Sequence, residues 1–167
     1  MYDLRTGAIR FLAAGLVLFS VAALAAGEDF IKIETSVSPL RLSRGEEGKV
    51  ILKIRVRQGI SINSLPSFVI EFEPNEELVF PKNFFTASDL AIEAADAGGR
   101  ERLELKKSLG IPFTVSLRAK RGVHTLAGRV KYFAISDTEG WGRKSSTKFS
   151  ATYSTRLTVA KKNPLGS

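Results

Sequence analysis

Alternation of apolar and polar residues with a period of two is the strongest regularity in the chain. Val50, Leu52, Ile54 and Val56 alternate with Ile51, Lys53, Arg55 and Arg57, so a strand here carries one apolar face and one mainly basic face. Phe149, Ala151, Tyr153, Thr155, Leu157 and Val159 alternate in the same way with Lys148, Ser150, Thr152, Ser154, Arg156 and Thr158. Further strands are predicted over residues 30–37, 67–72, 90–95, 103–107, 112–118 and 125–136. Turn signals separate them at Gly45–Gly48, Pro74-Asn75, Gly98-Gly99, Arg121-Gly122 and Gly140–Gly142. The least regular stretch is 83–100, within which 89–97 reads as a short helix or a strand. No amphipathic helical pattern competes elsewhere. About eight strands, each with a single apolar face, describe two antiparallel sheets packed face to face. The predicted fold is all-β, an immunoglobulin-like antiparallel sandwich over residues 26–160. A closed barrel is the alternative, because periodicity does not distinguish a sheet that closes from two that stack.

The pattern changes character before residue 28. Arg5 and Arg10 precede an apolar run from Phe11 to Val21, and the small residues Ala22 to Ala26 follow. This order is that of an export signal over residues 1–25, with Ala23-Leu24-Ala25 as the small-x-small cleavage triplet. The alternative is an uncleaved anchor, since the uncharged run reaches the lower limit for spanning a bilayer about 30 Å thick. Either reading places the body outside the cytoplasm, in the periplasm or secreted. Residues 161–167, ending Asn-Pro-Leu-Gly-Ser, read as a frayed tail.

Composition narrows the chemistry. The 167 residues include no Cys and one His, which excludes a disulfide framework, a thiolate nucleophile, dithiol exchange and Cys- or multi-His-ligated metal centres. No cofactor is implied. Lys and Arg number 25 against 17 Asp and Glu, and cleavage would remove only Arg5, Arg10 and Asp3, so the positive balance belongs to the domain. In an exported protein this argues against nucleic acid and leaves anionic lipid, glycan or an acidic protein face as partners. The competing reading of the charge is solubility alone.

Few residues stand out as candidates. His124 precedes a strand without a Gly-x-Ser-x-Gly elbow or any other marked nucleophile, and reads as structural. Asp137 and Glu139 supply too few oxygens for a calcium loop and suit a hairpin turn. Trp141, between Gly140 and Gly142, either presents an indole to a partner or folds back over the sandwich edge. Lys53, Arg55 and Arg57 on one strand, with Arg118, Lys120 and Arg121 leaving another, form one basic patch only if the fold brings them together.

Two stretches together carry a family resemblance. Gly59-Ile60-Ser61-Ile62-Asn63-Ser64 with Pro66, and Ile111-Pro112-Phe113-Thr114-Val115 followed by Gly122-Val123-His124-Thr125-Leu126-Ala127-Gly128 and Tyr132-Phe133-Ala134, resemble the periplasmic N-terminal domain of the thiol:disulfide interchange protein DsbD. The likeness extends over residues 36–159 and implies an immunoglobulin-like sandwich that exchanges electrons through two cysteines. It places the first near Ile135 and the second near Gly140 or Trp141, where this chain has no thiol. A thiolate is the attacking group in exchange, so the resemblance implies the scaffold without the redox reaction. The expected function is therefore non-catalytic binding of an envelope protein through Ser136, Asp137, Trp141 and Arg143. The alternative is binding of anionic lipid or glycan through the basic strand faces and Trp141.

Overall fold

The computed structural model describes residues 29–65, 68–96 and 98–156. The predicted leader, its cleavage position, the tail and the predicted strand positions Leu157 and Val159 lie outside the described residues. Within them the chain forms β1 (Ile31–Ser38), β2 (Arg41–Ser43), β3 (Glu47–Val56), β4 (Ile60–Ile62), β5 (Val69–Phe72) and β6 (Leu78–Val79). There follow β7 (Phe84–Thr86), β8 (Ala94–Asp96), β9 (Glu101–Leu103), β10 (Leu109–Val115), β11 (Gly122–Ser136) and β12 (Gly142–Arg156). One sheet has the order β1-β3-β10-β6; the other runs β2-β12-β11-β5-β7, with β4 pairing the end of β11. A small third sheet pairs β8 with β9. The fold is an immunoglobulin-like sandwich, and among the described residues β1 lies against β12 without a hydrogen-bonded ladder that would close a barrel.

The two strands with the clearest alternation bury the residues that the pattern assigns. Val50, Leu52 and Ile54 of β3 face Leu126, Val130 and Tyr132 of β11 and Phe149, Ala151 and Tyr153 of β12 across one core. Two glycines set how closely the aromatic residues of this core can lie on the sheets. Gly48 sits opposite Phe113 and Gly128 opposite Phe149 in the registers of their strands. A Cβ at Gly128 would meet the Phe149 ring and the Glu71 carbonyl at 2.5 Å, and one at Gly48 would meet the Phe113 ring at 2.7 Å. Each ring thus occupies the space its cross-strand partner leaves, and Phe149 continues edge-on to Phe72 at 5.6 Å.

Three predicted strands shift, each for a physical reason. The strand expected over 112–118 is β10, which begins at Leu109 and holds Pro112 inside it. Val115 donates its N–H to Glu46 of the β3 side, so the odd residues of β10 turn their backbone groups toward β3 and the even ones face outward. The missing N–H of Pro112 therefore falls on the outer edge, where β6 pairs only with Thr114 and Val115. The strand expected over 103–107 is instead Glu101–Leu103: it pairs with β8, the Glu104 N–H makes a last bond in the same register to the Glu93 carbonyl at 2.8 Å, and residues 105–107 form a turn. The stretch 90–95 is mostly turn: Thr86 donates its N–H and Oγ1 to Asp89 at 2.9 Å each, Ile92 donates its N–H to the Ala87 carbonyl, and Ala91 takes φ +49°. Neither the helix nor the strand expected over 89–97 forms there, apart from β8. The strands β2, β6 and β7, two or three residues long, are too short to show alternation and arise from pairing with their neighbours.

Replacing Gly128 by Ala is expected to lower stability by about 1–3 kcal/mol, the cost of overpacking, read from the midpoint of urea unfolding. Gly110→Ala, where the nearest atom lies 3.9 Å away, should be neutral or slightly stabilising. Asp89 gives a second test. Its hydrogen bonds from Lys82 and Thr86 hold its carboxyl below the usual range, at about 2. The contribution of this turn is thus complete above the ordinary carboxylate pKa and lost as pH falls toward 2. An NMR titration of the Asp89 carboxyl should show that midpoint, and Lys82→Gln should raise it.

Candidate functional site

The β11–β12 hairpin ends in a loop whose backbone closes on itself. Ser136 donates its N–H to the Trp141 carbonyl at 2.9 Å, and Gly140, at φ +70°, donates to the Ser136 carbonyl at 3.1 Å. Ser136 is 3% exposed, and its hydroxyl accepts the Glu139 N–H at 3.2 Å. It shapes the loop from inside and does not present a group to solvent.

The other loop residues are tied to three separate segments. Asp137 accepts two bonds from the Arg102 guanidinium of β9, at 2.8 and 3.0 Å, and donates its N–H to the Gly59 carbonyl at 3.3 Å. Trp141 folds back: its ring lies 5.1 Å from that of Phe30, and its Nε1 donates to Glu139. Arg143 covers both rings, its guanidinium carbon 4.5 Å from the centroid of Phe30 and 4.7 Å from that of Trp141. Phe30 is held from below, since its N–H donates to Tyr132 Oη at 3.3 Å, beside Thr147 and Asp29. The result is an aromatic and cationic platform fixed to the sandwich end. Asp137 and Glu139 face different partners and do not converge on a cation.

The two segments behind the family resemblance meet here. β4, within Gly59–Ser64, pairs with the last three residues of β11, placing Ser61 opposite Ile135. Ile135 is buried and pairs with Gly142 across the hairpin. The basic residues, in contrast, are divided. Lys53, Arg55 and Arg57 run toward this end, where Arg57 donates its N–H to the Phe30 carbonyl at 2.9 Å. Arg118, Lys120 and Arg121 lie at the opposite end of the same sheet, in the loop that Arg44 fixes by donating to the Ala119 carbonyl at 2.7 Å. They form no contiguous patch, because β10 runs antiparallel to β3 and its exit loop adjoins the start of β3, 47–49, not residues 53–57.

His124 also lies at that far end, its Nε2 within 2.7 Å of the Lys120 carbonyl and 2.8 Å of Thr155 Oγ1, with its ring stacked on Tyr153 at 5.3 Å. Among the described residues no cluster of three or more His, Asp and Glu is placed to hold a metal ion. Sequence reasoning missed Phe30 and Arg102 as parts of the tip. Phe30 reads as one more apolar residue at a strand start, and Arg102 as one more charge after a glycine turn; neither carries a local signal.

No family model and no curated protein matches this sequence. Among solved structures, the chain is similar to a cohesin module of a family 33 glycoside hydrolase from Clostridium perfringens, at 12% identity over 76% of this chain and 96% of that one, TM-score 0.38. It is similar to a chain of a type I cohesin–dockerin complex from Clostridium thermocellum, at 13% identity over 74% and 99%, TM-score 0.35. The CooA pilin subunit of enterotoxigenic Escherichia coli is similar at 11% identity over 77% and 99%, TM-score 0.29. None of these similarities bears on ligand or activity.

Because Trp141 is the single tryptophan, it reports on its own stacking. Arg143→Ala is expected to shift its fluorescence to the red, raise its quenching by acrylamide and cost about 1 kcal/mol, the scale of an exposed cation–π contact. An unchanged spectrum would show that the guanidinium does not cover the indole in solution.

Proposed function

We propose that this chain is an exported, non-catalytic sandwich that binds another protein of the bacterial envelope through its hairpin tip, on a scaffold like that of the DsbD N-terminal domain but without the cysteine pair. One observation carries the reading. Trp141, Arg143 and Phe30 form a stack already held in one geometry, braced by the Arg102–Asp137 pair. Trp and Arg are the side chains most enriched at binding hot spots, and an ordered platform loses little conformational entropy when a partner seats on it. The same end holds the positions where the resemblance would place thiols, so recognition is retained where electron transfer has no groups to act. Lipid or glycan binding by one broad basic face is less well supported, because the two basic clusters lie at opposite ends of the sheet.

The test is photo-crosslinking in cells that export the protein, with a benzophenone residue at exposed Thr138 or, at the far end, at Arg118. A discrete adduct is expected from Thr138 only, lost in Trp141→Ala and Arg143→Ala, and containing a chain that by mass begins at Ala26. Equal capture from both positions, or none from Thr138, would overturn the reading.

A further inference from the structure

The four-stranded sheet has an edge that the fold leaves unpaired. β10 pairs with β3 only from Glu47 to Leu52, so residues 53–56 of β3 extend past the start of β10. Arg57 donates its N–H toward β1, at the Phe30 carbonyl, and Glu46 accepts from β10. Backbone groups alternate in direction along a strand, so those of Arg55 and Lys53 point to β1, while the N–H and C=O of Ile54 and Val56 point to the side that β10 has vacated. No hydrogen bond to these groups is formed on that side by any described residue.

The vacated side is a groove. It holds about 590 Å³ between the β3 edge, β4 and the segment 102–106, with an apolar lining from Ile60, Ile62, Leu103 and Leu105. Ser61 Oγ and Arg102 Nε in its walls have no hydrogen-bond partner. Its charge is one-sided: Lys53, Arg55, Arg102 and Lys106 line it against Glu104 alone. Arg55, Arg102 and Lys106 are held by Glu34, Asp137 and Glu104, and Lys53 has no partner among the described residues.

The contrast with β10 shows that this opening is not a general property of the sheet. The outer edge of β10 is blunted by Pro112, which has no N–H to offer. The Ile54–Val56 edge keeps every donor and acceptor.

We propose that this groove accepts an extended segment of a partner protein, in which acidic residues alternate with apolar ones, as an added strand alongside residues 53–56 of β3. Its backbone pairs with Ile54 and Val56, its apolar side chains enter the groove, and its carboxylates meet Lys53 and the cationic rim. Four residues of strand edge span about 13 Å, which sets the length of the inserted core. The inference stands apart from the reading of the hairpin tip: the two share only Arg102, which braces Asp137 on one side and lines the groove on the other, while the edge itself is Ile54 and Val56.

The probe is the peptide Ac-Glu-Val-Asp-Ile-Glu-Val-NH2, titrated into the exported protein and followed by amide NMR and hydrogen exchange. Slowed exchange is expected at Ile54 and Val56, with binding that weakens as salt rises and falls about ten-fold in Lys53→Glu, a change on the scale of one close charge contact. N-methylation of the peptide at alternate residues should abolish binding in one phase and spare it in the other, because only alternate amides face β3. The same protection should persist in Arg143→Ala, which disables the tip alone. The proposal is overturned if millimolar peptide leaves the Ile54 and Val56 amides unprotected, if both N-methyl phases bind alike, or if the shifts map to Phe30 and Trp141 only. It is equally overturned if those two amides are already protected in the free protein, since the edge is then covered by the chain itself or by a second copy.

Discussion

The register of the β11–β12 hairpin is the constraint on which the rest of the structure depends. Gly122 pairs with Thr155 at one end and Ile135 with Gly142 at the other, without interruption. A slip of one residue would turn Leu126, Val130 and Tyr132 out of the core, and the loss of their burial opposes it. Gly128 opposite Phe149 adds a steric lock, since a slip of one residue either way would bring the side chain of Ala127 or Arg129 opposite that ring. With the register set, β4 and β5 dock on β11, and the loop at residues 136–141 is carried to a defined place beyond the core.

That placement explains why the tip is an ordered platform. The loop closes through its own backbone, but its orientation comes from groups distant in sequence: Gly59 under Asp137, Arg102 beside it, and Phe30 under Trp141 and Arg143. The cations on its flank follow from the same geometry. β3 ends where the hairpin ends, so Lys53, Arg55 and Arg57 approach the tip while Arg118, Lys120 and Arg121 are carried the length of the sheet away. The end where the resemblance would place a thiol pair thus carries Phe30, Trp141 and Arg143 in one stack, with a strand edge left open nearby.

Legibility in the sequence followed burial. β3 and β12 were readable because one face of each is sealed in the core and the other is wet, which writes the period of two directly into residue type. The limits of the strands at 101–103 and 109–115 do not show in the pattern, because they are set by where a partner runs alongside, β8 for the first and β3 for the second. At the site, Trp141, Arg143 and Asp137 were visible as a loop. Whether the indole would face solvent was not, because glycines on both sides permit either course and the deciding contact, Phe30, lies more than a hundred residues earlier.

The sequence by itself determined the all-β class, the glycines at the hairpin turn and the exclusion of thiol chemistry, since alternation, turn residues and composition are local properties. Tertiary structure alone decided that Trp141 folds back under Arg143, that Asp137 is held by Arg102, that the basic residues split into two groups, and that Ile54 and Val56 keep unpaired backbone groups. Each of these depends on which strands become neighbours and in what direction they run. That information resides in the packing of distant segments, where shape and pairing of the whole sheet select among partners that residue type leaves equivalent.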